Sequence, residues 1–230
     1  MRIKKTHNNF HTIPVIFLTL AALTITLLLG ANLTGCSDKK NPPQISGTLL
    51  STPKPLENFQ LTNHNGKHFD KENTKGHWTF LFFGYTSCPD VCPATLFQFK
   101  QIASRLEKTG AAAQNTQFIL VSVDPERDTE KQLEEYIHYY HKDFIALTGT
   151  HEQIKSLSSQ LGIFYIRVTP KGTRMEPKID NGSKEDYLID HSAAIILLDP
   201  DSKLHAVFGM PHSAEKITAD FLKIRKYFED

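Results

Sequence analysis

Three short apolar runs stand out against a mostly polar chain, at residues 80–83, 118–123 and 193–198. Their lack of polar alternation predicts strands that are buried on both faces of a sheet. Between the first two runs, over residues 94–108, apolar side chains recur at the three- and four-residue spacing of a helix face. Because parallel strands need a crossover connection, the sequence predicts a strand, helix, strand unit in which the two strands are parallel.

The same alternation of helices and strands continues to the C-terminus. Thr129 and Gln132 fit a capping box at the start of a second helix, and Ser213 fits the cap of a last helix that runs to residue 228. The other predicted elements are a strand at 144–147, a helix at 151–161, a strand at 163–168, a polar excursion at 169–185, and a hairpin that pairs 193–198 with 204–208 around a turn at 199–202. This order predicts an α/β protein with a thioredoxin-like fold, in which helices flank a central mixed β-sheet.

The N-terminus has the layout of a targeting segment. Arg2, Lys4 and Lys5, with no acidic residue among them, precede an uncharged and mostly apolar run at 15–29. As a helix this run would be about 22 Å long, which is short of the ~30 Å hydrocarbon core of a bilayer. It leads to Leu-Thr-Gly-Cys at 33–36, which resembles the lipobox of bacterial lipoproteins, where the cysteine is lipidated and becomes the new N-terminus.

These features divide the chain into three parts. We expect a lipoprotein signal peptide over residues 1–35, a lipid anchor and flexible tether over 36–55 that begins at the lipidated Cys36, and a folded domain over 56–230. An uncleaved single-span anchor, with Cys36 incidental, is the alternative. Either anchor places the domain on the outer face of a membrane. We therefore expect a lipoprotein that faces the periplasm and is held at the inner membrane.

Charge and cysteine content exclude several classes of protein. The chain has 26 Lys+Arg against 25 Asp+Glu and a formal net charge of +1, so it offers no basic field and we expect no nucleic-acid partner. Hydrophobic residues make up 40% of the chain, which is typical of a globular protein rather than a disordered one. The 3 cysteines are too few for a disulfide-stapled scaffold or for a zinc ribbon.

Two of the cysteines fall where thiol chemistry is favoured. Cys88 and Cys92 lie in the sequence Cys-Pro-Asp-Val-Cys-Pro at 88–93, between the end of a predicted strand and the start of a helix. The free N–H groups and the dipole of a helix N-terminus stabilise a thiolate, so both are candidates for reactive cysteines. Pro89 and Pro93 are tolerated only around the first helical turn and therefore indicate where the helix begins.

The spacing of the pair favours a metal over a disulfide. Side chains four positions apart on a helix have Cβ atoms about 5–6 Å apart, whereas a relaxed disulfide requires ~3.5–4.5 Å. Two thiolates favour soft ions, and Cu(I) would need only one more ligand because it accepts low coordination. His191, just before the apolar run at 193–198, is the candidate for that ligand. A histidine that is hydrogen-bonded in a loop is the other interpretation of this position.

Three motifs together resemble one family, the SCO/SenC proteins, which are assembly factors for cytochrome c oxidase. The motifs are Cys-Pro-Asp-Val-Cys-Pro at 88–93, Val-Ser-Val-Asp-Pro-Glu-Arg-Asp-Thr at 121–129 and Asp-His-Ser at 190–192. The resemblance spans roughly residues 45–228, which is nearly the whole of the mature chain that would begin at Cys36. It implies a thioredoxin fold.

The resemblance also implies a ligand set, a cargo and partners. Cys88, Cys92 and His191 would bind copper, as Cu(I) or Cu(II), and the protein would be a metallochaperone for the binuclear centre of cytochrome c oxidase subunit II. It would receive copper from an upstream periplasmic donor and stay at the membrane through its lipid anchor. The other interpretation for the family is a thiol-disulfide oxidoreductase, in which Cys88 and Cys92 are a redox pair that acts on the cysteines of that subunit.

Two less favoured functions use the same cysteines. A peroxiredoxin-like peroxidase shares the fold but requires an arginine beside its thiolate, which only Arg127 or Arg167 could supply through folding. A plain disulfide between Cys88 and Cys92 would close a very short loop and so would add little stability.

Other polar residues are expected to be structural. Asp124 and Asp128 follow a predicted strand, where turn formation and helix capping explain them at least as well as contacts to the cysteines do. Two close histidine pairs lack the spacing of a zinc signature, and we expect them to be surface residues. These pairs are His64 with His68 and His138 with His141.

Overall fold

A computed structural model of the protein describes residues 41–110, 114–169, 171–175 and 187–229. A sheet of eight strands forms the centre of this part of the chain. The strands of the described residues are β1 Thr48–Pro55, β2 Gln60–Asn63, β3 His68–Asp70, β4 Trp78–Gly84, β5 Thr116–Ser122, β6 Ile145–Thr148, β7 Tyr165–Val168, β8 Leu188–His191, β9 Ile195–Leu198 and β10 Lys203–Phe208. Their α-helices are α1 Val91–Glu107, α2 Glu130–Tyr140, α3 His151–Gln160 and α4 Ala214–Glu229, and a short 3-10 helix covers Lys71–Thr74.

The central sheet is mixed, as predicted. Its strand order is β1-β10-β9-β4-β5-β6-β2-β3, in which β4, β5 and β6 are parallel and the other neighbours are antiparallel. The predicted strand, helix, strand unit is β4, α1 and β5, with Phe80 opposite Phe118 and Gly84 opposite Ser122. Because these parallel strands end side by side, the loops that follow them meet at one edge of the sheet.

Aromatic packing places α1 against the middle of the sheet. Phe80 on β4 is stacked on Phe118 of β5 with ring centroids 5.1 Å apart, and both are buried. Phe99 of α1 lies 5.3 Å from Phe118, and Phe221 of α4 lies 5.0 Å from Phe80, measured between ring centroids. Burying one such side chain contributes roughly 1.5–3 kcal/mol. The start of α1 is therefore held directly beyond the end of β4.

The predicted tether overlaps a strand. Residues 48–55 form β1, which pairs with β10 through contacts such as Leu49 opposite Ala206. Leu49 and Leu50 are partly buried against the core. The segment is rich in polar residues and proline, so its composition indicated a linker. β1 is an edge strand of the sheet, and its backbone hydrogen bonds to β10 do not require an apolar side chain at every second position.

The strand predicted at 163–168 does not join the central sheet. Its residues 165–168 form β7, which pairs with β8 as a separate two-stranded sheet, and β8 itself was not predicted. The predicted signal peptide, Cys36 and most of the polar excursion at 169–185 lie outside the described residues. Within the ranges given above, no helix is both long enough and apolar enough to cross a bilayer.

Candidate metal centre

Cys88 and Cys92 lie on either side of the first residue of α1. Cys88 is in the loop that leaves β4, and Cys92 is the second residue of α1. Both are free thiols. Cys88 is 9% exposed, whereas Cys92 is fully buried. The Cys88 sulfur is therefore the one that a partner or a small reagent can approach.

Gly84 leaves room for the Cys92 sulfur. A Cβ at Gly84 would lie 2.9 Å from Cys92 Sγ and 2.9 Å from Phe82 Cε1. Ordinary contacts between such atoms are about 3.5–4.0 Å, so no larger residue fits on this backbone. The close approach of Cys92 requires this glycine, which was not among the predicted site residues. Its place directly after a buried strand and before the cysteine motif was the available signal.

Hydrogen bonds to Asp128 connect the cysteine loop to the end of β5. The buried Asp128 carboxylate accepts hydrogen bonds from the Thr86 backbone N–H at 3.1 Å, the Thr86 hydroxyl at 2.6 Å and the Ser122 hydroxyl at 2.6 Å. Burial raises the pKa of Asp128, and these donors act in the opposite direction. Asp128 thus holds the residue that stands two positions before Cys88, which is more than the turn or cap role expected from the sequence.

His191 is the last residue of β8, and the fold brings it to the cysteines. Its Nε2 lies 3.4 Å from Cys92 Sγ. Its ring contacts the rings of Phe82 and Tyr85 edge to face, with centroids 5.7 Å and 6.1 Å away. The ligand atoms of Cys88, Cys92 and His191 all lie within 4.8 Å of one another. The structure therefore places the three predicted ligands together.

Contacts on both sides fix the end of β8. His191 is opposite Tyr165 of β7 in the two-stranded sheet. The backbone N–H of Ser192 donates to the Phe164 carbonyl oxygen at 2.9 Å. Two positions earlier, the Ile189 backbone N–H donates to the hydroxyl oxygen of Tyr85 at 3.2 Å. Because Tyr85 belongs to the loop that leads to Cys88, this last bond ties the histidine strand to the cysteine loop.

The two thiols differ strongly in acidity. A hydrogen bond from the Cys92 thiol is the largest influence on the pKa of Cys88, which is lowered to about 4. His191 and the backbone N–H groups of Asp90 and Cys92 act in the same direction, whereas burial opposes them. The same hydrogen bond, together with burial and the charge of the Cys88 thiolate, raises the pKa of Cys92. At neutral pH the metal-free pair is a Cys88 thiolate beside a Cys92 thiol.

The donor set fits a soft, low-coordinate ion. Two sulfurs and an imidazole nitrogen suit Cu(I), whereas structural zinc is almost always held by four ligands. In the described parts of the chain, no further Cys, His, Asp or Glu joins this group. Metal–sulfur bonds of ~2.3 Å are compatible with ligand atoms at the observed spacing. Cys88, Cys92 and His191 are thus the residues that would hold copper.

The arginines that a peroxidase would need are engaged elsewhere. Arg127 forms an ion pair with Asp124, and Arg167 forms one with Glu126. Asp124 also forms the turn expected of it, because its carbonyl oxygen accepts from the Asp128 backbone N–H at 2.9 Å. Nε of Arg127 and the guanidinium group of Arg167 are thus directed at these carboxylates.

One histidine prediction was wrong. His64 is only 7% exposed, and it packs against His138, with ring centroids 4.9 Å apart, rather than against its sequence neighbour. Its Nδ1 accepts the backbone N–H of Ala146 at 3.1 Å. This pair of rings is therefore part of the packing between the two segments.

The fold and this site together define a thioredoxin-like protein with a Cys, Cys, His donor set at the start of a helix. The chain belongs to the SCO1/SenC family, which matches residues 50–226. The family and the fold expected from the sequence motifs are thereby confirmed.

Relatives of this chain are associated with copper. A protein of Stutzerimonas stutzeri, described as a putative copper-binding protein, is 32% identical over 195 residues, or 84% of this chain and 89% of that protein. The crystal structure of Arabidopsis thaliana ScoI with copper bound is 31% identical, with a TM-score of 0.64, over 75% of this chain and 99% of that one. Bradyrhizobium japonicum ScoI with copper bound is 32% identical, with a TM-score of 0.60, over 74% of this chain and 99% of that one.

Proposed function

We propose that this protein binds copper through Cys88, Cys92 and His191 and serves as a metallochaperone in the assembly of cytochrome c oxidase. The main observation behind the proposal is that the two cysteine sulfurs and one imidazole nitrogen of His191 all lie within 4.8 Å of one another. This donor set satisfies Cu(I) without a further protein ligand. The similarity to two ScoI structures that contain copper supports the same metal.

The unequal burial of the ligands suits a protein that releases its metal. Cys88 keeps 9% of its surface exposed, Cys92 is fully buried, and His191 comes from the separate β7–β8 sheet. A ligand of an acceptor would therefore replace Cys88 first, while Cys92 and His191 still hold the ion. We propose the binuclear copper centre of oxidase subunit II as the acceptor and an upstream periplasmic protein as the donor.

Copper stoichiometry and X-ray absorption test this function. The reduced full-length protein, purified in detergent, should bind one Cu(I) with sulfur and nitrogen ligands. Cys88→Ser and Cys92→Ser should each abolish tight binding, and His191→Ala should remove the nitrogen contribution and weaken affinity. His138→Ala changes an exposed histidine and serves as the control. If the reduced wild type binds no copper, or if His191→Ala leaves spectrum and affinity unchanged, the proposed site is wrong.

Thiol-disulfide exchange is a second candidate function, and the low pKa of Cys88 favours it. The Cys88 thiolate would attack one sulfur of a partner's disulfide and expel the other sulfur as a thiolate. Cys92, after losing its proton, would then attack Cys88 in the mixed disulfide and release the partner's second thiolate. The partner gains two electrons and the Cys88–Cys92 pair becomes a disulfide.

His191 separates the two functions. We would incubate the reduced, metal-free protein with the disulfide form of an oxidase subunit II copper domain and count the thiols formed. Exchange requires Cys88 and Cys92 but not His191, so His191→Ala should keep this activity if exchange is the function. If reduction of the domain occurs only when copper is present, thiol exchange is not an independent activity of this protein.

We also propose that Cys36 is lipidated and anchors the protein at the periplasmic face of the inner membrane. The Leu-Thr-Gly-Cys sequence at 33–36 supports this. Mass spectrometry of the membrane fraction should show a chain that begins at Cys36 and carries acyl groups, and Cys36→Ser should remain unprocessed. A wild-type chain that retains residues 1–35 would instead indicate the uncleaved anchor.

A further inference from the structure

Three side chains fix the N-terminal end of the strand that carries His191. Tyr187 lies directly before β8, and its hydroxyl donates to Asp124 Oδ1 at 2.6 Å. Arg127 Nη1 donates to the carbonyl oxygen of Tyr187 at 3.0 Å, and Arg127 Nε donates to the Asp124 carboxylate. Each of Asp124, Arg127 and Tyr187 thus contacts the other two, and we call these three residues the Tyr187 bracket. The Tyr187 hydroxyl also lies 3.2 Å from Glu126 Oε2.

The Tyr187 bracket is well placed to resist movement. Asp124 is fully buried, and the Arg127 guanidinium carbon lies 3.7 Å from the centroid of the Tyr187 ring. Burial and the hydrogen bond to Asp124 raise the pKa of Tyr187 to about 12, so its hydroxyl is a donor at neutral pH. Hydrogen bonds to a charged acceptor are among the stronger ones in proteins.

The loop after β5 contacts both halves of the metal centre. Asp128 in this loop holds the cysteine loop through Thr86. Asp124 in the same loop holds the histidine strand through Tyr187. Because both carboxylates come from one short turn, a shift of the histidine strand relative to this turn is also a shift relative to the cysteines.

The strand itself has little other support. Among the strands that the structure describes, β8 pairs with β7 alone, and an isolated two-stranded sheet is marginally stable in water. Alternate side chains of a strand share a face, so Tyr187 and Ile189 extend along the same side as His191. Ile189 is 5% exposed and its N–H bonds to Tyr85. The strand is thus held against the cysteine loop at Tyr187 and Ile189 before it presents His191.

We propose that Tyr187 is a positioning residue for His191: its hydroxyl, held by Asp124 and Arg127, sets how closely the imidazole approaches Cys92. This inference rests on the proposed copper-binding function, since it names what controls the third ligand. Without the bracket, the hydrogen bond from Ile189 to Tyr85 still holds β8, but the N-terminal end of the strand is loosened, and His191 would hold copper less closely.

Tyr187→Phe tests the proposal because it removes only the hydroxyl and keeps the ring beneath Arg127. The full-length Tyr187→Phe variant should release Cu(I) to a competing chelator about tenfold faster than the wild type does. A tenfold change corresponds to the lower end of the free energy that one hydrogen bond to a carboxylate contributes. In the metal-free protein, the ring nitrogen NMR signals of His191 should shift, because the contact with Cys92 changes. Tyr139→Phe, at a position that is 80% exposed, is the matched control and should change neither measurement.

Two further measurements separate positioning from general stability. Asp124→Asn combined with Tyr187→Phe should accelerate Cu(I) release by less than the product of the two single effects, because both substitutions weaken the hydrogen bond between Tyr187 and Asp124. Wild-type copper release and unshifted His191 signals in Tyr187→Phe would overturn the proposal. If the wild type binds no Cu(I), the proposed function fails, and the NMR comparison of the metal-free proteins alone still decides whether Tyr187 positions His191.

Discussion

Substitution of Gly84 by alanine tests how tightly the metal centre is packed. A Cβ on the existing backbone would lie 2.9 Å from Cys92 Sγ, 2.9 Å from Phe82 Cε1 and 3.3 Å from Leu120 Cδ1. Since ordinary contacts are about 3.5–4.0 Å, two of these neighbours would have to retreat by about 0.5 Å or more. Cys92, Phe82 and Leu120 are all fully buried, so none can turn into solvent. Overpacking of this kind costs about 1–3 kcal/mol.

We expect Gly84→Ala to lower the free energy of unfolding by that amount and also to weaken Cu(I) binding, because the displaced Cys92 sulfur is a proposed ligand. Urea unfolding of the reduced, metal-free protein and Cu(I) competition measure the two effects. Gly209→Ala is the matched control, since a Cβ there meets nothing within 4 Å, and it should change stability by no more than about 0.5 kcal/mol. Wild-type stability together with wild-type copper affinity in Gly84→Ala would refute the reasoning.

Three further predictions concern charges and buried polar groups. The Cys92 thiol is the main reason that the pKa of Cys88 is lowered to about 4. The rate at which iodoacetamide alkylates the metal-free protein should therefore be constant from about pH 8 to pH 6 and should halve near pH 4. An alkylation rate that climbs steeply above pH 7 would contradict this. Burial and the charge of His138 lower the pKa of His64 from 6.5, so the folded state disfavours the protonated ring. The free energy of unfolding should therefore fall as the pH drops below 6.5 towards the pKa of His64 in the folded protein. Urea titrations over a pH series should show this slope in the wild type and a flatter one in His64→Gln. Asp128→Ala leaves three donors unpaired and should lower the free energy of unfolding by about 3 kcal/mol. An unchanged urea midpoint would show that the cysteine loop does not depend on the Asp128 carboxylate.

Burial explains why some elements were predictable. β4 and β5 lie in the middle of the sheet, and every residue of β4 is buried, so both strands had to be continuous apolar runs. α1 packs one face on that sheet and therefore shows helical periodicity. The capping box of Thr129 and Gln132 is local chemistry, and the structure confirms it at the start of α2.

Elements at edges were not predictable in the same way. β1 pairs with β10 at an edge of the central sheet, and β8 pairs with β7 outside that sheet. Backbone pairing of this kind leaves only a weak pattern in the side chains. The pattern of the sequence therefore indicated a tether over residues 36–55, which includes β1, and it did not indicate β8. His64 was misjudged for a related reason, since its partner His138 comes from a distant helix.

The sequence by itself determined the family and the α/β core, and it singled out Cys88, Cys92 and His191, because these depend on residue types at fixed spacing along the chain. Only the tertiary structure decided that the His191 imidazole lies 3.4 Å from Cys92 Sγ, that Gly84 makes room for this sulfur, and that one turn after β5 holds both halves of the site. Such distances depend on how separate segments pack against each other, and no local pattern in a single sequence records them.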